Sequence, residues 1–199
     1  MKYAIIGSGN IGTALARAFA RQNIKVGIAN TRGPASLAAL VKELGANVVP
    51  QSLREAYEAE VIFLAVPFSA YKDVARQREQ WNGKIIVDTM NTFHIRPEEL
   101  RGRLSSELVS EGFVGARLVK AFNHLPAEQL GISPSLVSKR QAIFLSSNDI
   151  HASTTVAAFV TELGFAPVEP GRLDQGGVPL HVVGGRPGGL LFQNLANNG

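Results

Sequence analysis

YAIIGSGNIGTALA, residues Tyr3 to Ala16, is the stretch that decides the fold. Its first residues are apolar and β-prone. Gly7, Gly9 and Gly12 follow as G-x-G-x-x-G, and Ile11, Leu15, Ala18 and Phe19 then recur at helical spacing. Strand, glycine turn and helix in that order open a dinucleotide-binding βαβ unit. Gly7 permits the tight turn, Gly9 lets a pyrophosphate approach the backbone, and Gly12 allows the helix to pack closely on the strand. The helix beginning near Asn10 turns its free N–H groups and the positive end of its dipole toward the phosphates.

Further along, short apolar runs alternate with longer amphipathic ones. Strands are expected at YAIIG, KVGIA, NVV, VIFLAV, KIIVD, RLVKAF, AIFLSS and APVEP. Several are apolar throughout, as strands buried on both faces must be. The fold class predicted is α/β: a Rossmann-type, doubly wound, mostly parallel sheet of about eight strands with helices on both faces. Helices over SLAALVKELG and HASTTVAAFVTELG should end at Gly45 and Gly164. Residues 1–170 form one dinucleotide-binding domain. Residues 171–199, with DQGGVPLHVVGGRPGGLL, read as an irregular Gly/Pro-rich segment ending in a short apolar helix or arm, packed on the same domain or on a dimer partner.

Composition excludes several classes. The 199 residues are 45% hydrophobic and 18% charged, which suits a globular chain. The net charge of +4 is spread without a basic run or an aromatic stripe, so no nucleic-acid partner is expected. There are no cysteines, which removes disulfides, thiolate nucleophiles and thiolate metal sites. His94, His124, His151 and His181 lack metal-site spacing, and no metal is expected. No charged leader and no apolar run of membrane-spanning length is read, so the expected location is cytoplasmic, with no membrane partner.

GIANTRG, Gly27 to Gly33, lies where NAD-binding chains usually place an acid to hold the adenosine ribose. Here the positions are Asn30, Thr31 and Arg32. A carboxylate would repel a 2′-phosphate, whereas a guanidinium fits it. NADP is therefore favoured over NAD, with Asn30 and Thr31 as further donors. The alternative for Arg32 is a solvated loop cation.

Two strand ends reach the rim where open α/β sheets bind ligands. One is DTMN, Asp88 to Asn91, with Asp88 expected to cap a turn. The other runs through Asn123 and His124. His124 is the candidate catalytic residue, placed to touch substrate or nicotinamide, with a structural or solvated histidine as the alternative. Lys120 falls inside its strand. Val66, Pro67, Phe68 and Leu125 could supply an apolar shelf for a planar ring.

YAIIGSGNIGTALA, the NTR turn, VIFLAVP and RLVKAFNHLPAEQL together resemble the NADP oxidoreductases that depend on the deazaflavin coenzyme F420, a group related to the reductase domain of the STEAP metalloreductases. The resemblance runs from Met1 to about Pro170. It implies a single Rossmann-type domain, often dimeric, passing hydride between NADPH and a planar ring acceptor, deazaflavin or flavin-like. It further implies that Gly7, Ser8, Asn10 and Ile11 form the phosphate loop, and that Asn30, Thr31 and Arg32 form the 2′-phosphate turn. Val66 and Pro67 would lie beside the ribose and nicotinamide, and Ala121, Phe122 and Asn123 at the strand end near the nicotinamide. After Gly171 the chain departs from the family, which continues there through a longer apolar helix. Two other readings stay open: a non-catalytic NADP(H)-binding sensor or regulatory module, and a small carbonyl or imine reductase.

Overall fold

The computed structural model describes residues 1–132 and 140–181. Eight strands form one sheet: β1 (Tyr3–Ile6), β2 (Val26–Ala29), β3 (Val48–Pro50), β4 (Val61–Leu64), β5 (Ile85–Asp88), β6 (Arg117–Ala121), β7 (Ala142–Ser147) and β8 (Ala166–Gly171). Each of the eight runs read from the sequence contributes one. Their order is β3-β2-β1-β4-β5-β6-β7-β8. Every neighbouring pair is parallel except β6 and β7. The helices are α1 (Asn10–Arg21), α2 (Ala38–Leu44), α3 (Leu53–Ala56), α4 (Tyr71–Ala75), α5 (Pro97–Leu100), α6 (Ser105–Gly112), α7 (Ala127–Gly131) and α8 (Ile150–Glu162). This is a Rossmann-type, mostly parallel, doubly wound sheet.

β2, β4 and β5 are buried at every residue, and apart from Asp88 at the end of β5 they are apolar, as strands covered on both faces must be. One core joins Phe19 of α1, Phe63 of β4 and Phe159 of α8, whose rings meet at centroid distances of 4.8–5.5 Å. The opposite face packs Tyr57, Trp81 and Phe113. Gly45 caps α2 with φ +84°, and Gly164 follows α8 with φ +90°, both in the region that favours glycine. Asp149 starts α8 by accepting from Ala152 N at 2.7 Å.

The register sets up the site. Ile6 of β1 pairs with Ala29 of β2 and Leu64 of β4, and Leu64 pairs with Asp88 of β5. The residues that follow these strands, Gly7, Asn30, Ala65 and Thr89, therefore emerge side by side at one rim.

β8 runs one residue past the expected domain boundary. Residues 172–181 then fold back onto the same domain, with Leu173 and Leu180 buried. Leu173 N donates to Asn148 Oδ1 at 3.1 Å, and the His181 ring meets Ser106 Oγ at 2.6 Å. The apolar helix or arm expected at the end of the chain falls mostly in 182–199, outside the described residues. Among the described residues no helix is long and apolar enough to cross a membrane.

Candidate active site

The turn between β1 and α1 is shaped by contact, not by freedom alone. Gly7 has φ +110°, and a Cβ there would lie 2.1 Å from Ala65 O. A Cβ on Gly12 would lie 2.0 Å from Gly7 O, so only glycine lets α1 start this close to the loop. Gly9 differs: a Cβ there meets nothing within 4 Å. Its surroundings are open on the side a pyrophosphate would occupy. Gly9 is also the N-cap of α1 and supplies no capping side chain, and the first turn carries no acid. The positive helix end is left for an anion.

Around this loop lies a cleft of about 580 Å³, lined by Gly7, Ser8, Gly9, Asn30, Thr31, Arg32, Val66 and Pro67 among others. Eight of the residues read from the sequence thus meet in one place. Asn30 acts within the wall and not toward the cleft: its Nδ2 donates to Ser8 Oγ at 2.8 Å and to Ser36 Oγ at 3.0 Å, and its Oδ1 accepts from Arg32 N at 2.9 Å. Both amide hydrogens are consumed, so the expectation that Asn30 donates to a phosphate gives way to an organising role. Ser36 completes this knot, and sequence reading passed it over. Arg54 and Tyr57, from α3 and the residue after it, line the same cleft and were also missed. Neither Arg32 nor Arg54 is engaged in an ion pair among the described residues. Asp73 also lines the cleft, 3.7 Å from Arg76.

A second cleft of about 390 Å³ adjoins it and shares the Ala65–Val66–Pro67 wall. Asn10 and Ile11 line it with Phe68, Met90, Asn91, Phe93, His94 and Ile95. Its floor is clamped from below. Asp88 Oδ1 accepts from Met90 N at 2.9 Å, the turn cap expected of it, while Oδ2 pairs with Lys120 Nζ at 3.0 Å. Lys120 Nζ also donates to Met90 O at 3.0 Å. Both charged side chains are fully buried. A lysine read as a mere strand residue is thus the anchor of the cleft floor.

The second strand end turns out differently from its reading. Ala121 and Phe122 are buried in the core and line neither cleft. Asn123 is buried too, but it touches the cleft residue Asn91. His124, the candidate catalytic residue, lies inside the fold: the antiparallel β7 runs beside the end of β6 and covers it. Phe144 N donates to His124 Nε2 at 3.3 Å, and the Phe144 ring packs edge-on at 5.5 Å. Burial pushes the imidazole down to about 4, against a smaller opposing effect of Ala142 O. A neutral histidine packed on a strand is the structural alternative, and it is the one realised. Leu125 likewise belongs to the core and not to the shelf. The histidine that does line the second cleft is His94, exposed and carried on the loop before α5.

A Rossmann sheet with an uncapped, glycine-rich helix start and a basic turn after β2 defines the class: a dinucleotide-binding domain. Residues 2–92 match the family described as "NADP oxidoreductase coenzyme F420-dependent", which bears out the resemblance carried by the motifs. The chain is 31% identical over 174 residues to the metalloreductase STEAP3 of Rattus norvegicus, covering 86% of this chain and 34% of that protein. It spans about a third, or less, of the length of the curated relatives it matches. Among solved structures it is similar to a hypothetical protein of Sinorhizobium meliloti, at 44% identity and TM-score 0.85, over 89% of this chain and 88% of that one. It is also similar to a provisionally assigned F420-dependent NADP reductase of Arthrobacter sp. FB24, at 25% identity and TM-score 0.72, over 90% of each chain.

Proposed function

We propose that this protein is a reductase that passes hydride from NADPH to a planar ring acceptor of the deazaflavin or flavin class. The observation that carries the reading is the pair of adjoining clefts sharing the Ala65–Val66–Pro67 wall. The larger takes the adenosine and its 2′-phosphate between Thr31, Arg32 and Arg54. The diphosphate crosses the start of α1, and the nicotinamide enters the second cleft over Val66 and Pro67. The acceptor ring then stacks on the remaining apolar surface of Phe68, Met90, Phe93 and Ile95. Hydride transfer between two stacked rings needs distance and orientation, with no positioned acid. The acceptor class is that named in the matching family's description.

One observation favours a second reading. His94 lines the second cleft and could protonate an alkoxide oxygen or an imine nitrogen, as a carbonyl or imine reductase requires. The two readings part in a single assay. NADPH oxidation is followed with deazaflavin, FMN and riboflavin, and with a panel of aldehydes, ketones and imines, in the native protein and in His94→Ala. Turnover with a ring acceptor that survives the substitution supports ring reduction. Turnover confined to carbonyls or imines and lost in the variant rejects it. Homodimer formation and a cytoplasmic location are proposals that rest on the family resemblance and the sequence, for sedimentation and fractionation to decide.

A further inference from the structure

We propose that the side-chain amide of Asn91 recognises the carboxamide of the nicotinamide, and that Asn123 is the positioning residue that holds Asn91 for it; this rests on the dinucleotide reading above. Asn91 lines the second cleft beside Met90, at the end of β5. Its amide is fixed from behind by two reciprocal hydrogen bonds. Asn91 Nδ2 donates to Asn123 O at 2.7 Å, and Asn91 Oδ1 accepts from Asn123 Nδ2 at 3.0 Å. An asparagine amide has two N–H donors and two carbonyl lone pairs. Among the described residues these two bonds leave one donor and one acceptor unused on a side chain that borders the cleft. A primary carboxamide offers the complementary donor and acceptor.

The support behind Asn91 is built at a cost. Phe122 holds φ +65°, a left-handed conformation that is an outlier for a bulky residue. This single residue turns the chain from β6 so that Asn123 reaches back under the cleft floor. Asn123 also donates to Leu180 O at 2.7 Å, which fastens the C-terminal segment to the same point. Its own Oδ1 is buried with no hydrogen-bond partner among the described residues. A strained backbone and an unmet buried acceptor are uncommon together. Both are tolerated where the geometry of Asn91 is the return.

The test compares NADP⁺ with its 3-acetylpyridine analogue, which keeps the carbonyl and lacks the amide N–H groups. Binding of each to the full chain is titrated by calorimetry. The native protein should prefer NADP⁺ by about three- to tenfold, the range of one net hydrogen bond. Asn91→Ala should bring the ratio near one, because the group that reads the amide is gone. Asn123→Ala should lower the ratio partway while leaving Asn91 in the sequence; should that buried change unfold the chain, Asn91→Ala decides alone. An unchanged ratio in Asn91→Ala, with NADPH still bound in preference to NADH, overturns this inference and leaves the functional reading standing. A variant that alters only the KM for the acceptor assigns Asn91 to the acceptor and also overturns it. Failure to bind either pyridine nucleotide overturns both.

Discussion

Asn30 Nδ2 donates to Ser8 Oγ at 2.8 Å, tying the turn after β2 to the phosphate loop after β1. The turn proposed to meet the ribose and the loop proposed to meet the diphosphate are therefore tied to each other directly. Asn30→Ala removes this bond and those to Ser36 and Arg32 N, and leaves the turn loose. NADPH affinity should fall about tenfold, because only part of the roughly 1 kcal/mol per lost bond reaches cofactor binding and the rest falls on the stability of the turn itself. Isothermal titration measures it. Full affinity in the variant would show that the turn is ordered by the cofactor and not in advance.

Arg32, on the turn after β2, and Arg54, on α3, both line the cleft proposed for the 2′-phosphate. A charge-assisted hydrogen bond contributes roughly 1.5–3 kcal/mol. Arg32→Ala should thus weaken NADPH about ten- to a hundredfold and leave NADH nearly unchanged. Arg54→Ala should act in the same direction, and raised salt should erode the NADPH preference of the native protein. Competition by 2′,5′-ADP against 5′-AMP reads the same quantity without the nicotinamide.

The three glycines of the loop should fail in different ways. Gly9→Val places its side chain in open space, so the fold survives and the pyrophosphate is excluded. Circular dichroism should be unchanged while dinucleotide binding is lost. Gly12→Val drives a Cβ into Gly7 O and should destabilise the whole domain. Normal binding by Gly9→Val would place the phosphates elsewhere.

Buried His124 makes stability depend on pH. Its folded value of about 4 lies below the unfolded value of 6.5, so the unfolded chain binds the proton first. Stability is fully present above pH 6.5 and is lost as pH falls from there toward 4, by about 3 kcal/mol at most. His181 is also lowered, by burial first and by Lys120 next, and acts with the same sign. Thermal melts at pH 7.5 and 5 should differ more in the native protein than in His124→Gln. An equal difference would leave His124 without this role.

Lys120 and Asp88 form an ion pair with both side chains fully buried. Removing one partner strands a buried charge, so Lys120→Met should cost about 3–5 kcal/mol. The double change Lys120→Met with Asp88→Asn should recover part of that loss. Chemical denaturation of the three variants gives the coupling. Additive losses would mean that the pair acts as two separate anchors.

The fold was legible because it is written in local signals. Short, largely apolar and β-prone runs marked all eight strands, and the spacing of Gly7, Gly9 and Gly12 marked the first crossover. That Asn30, Thr31 and Arg32 share a cleft with the glycine loop was legible for the same reason, since the three are contiguous at the end of β2. What escaped depends on contacts between distant segments. Lys120 looks like a strand residue until β5 is seen beside β6, which brings Asp88 opposite it. His124 looked like a rim residue because its strand ends at the rim, and only the antiparallel β7 shows that the rim is covered there. Ser36, Arg54 and His94 sit on turns and a short helix whose periodicity is too brief to aim a side chain.

The most direct measurement follows the hydride itself. NADPH carrying deuterium at C4 of the nicotinamide is mixed with the protein and oxidised 5-deazaflavin, and the product is read by mass spectrometry and NMR. The deazaflavin ring carbon that receives a hydride keeps it, so the label reports its origin. Reduced deazaflavin should carry deuterium at C5 for one of the two C4 epimers of NADPH and protium for the other, with NADH far slower. Reduced deazaflavin without label from either epimer, or no reduction of any ring acceptor while carbonyls or imines are turned over, would contradict it.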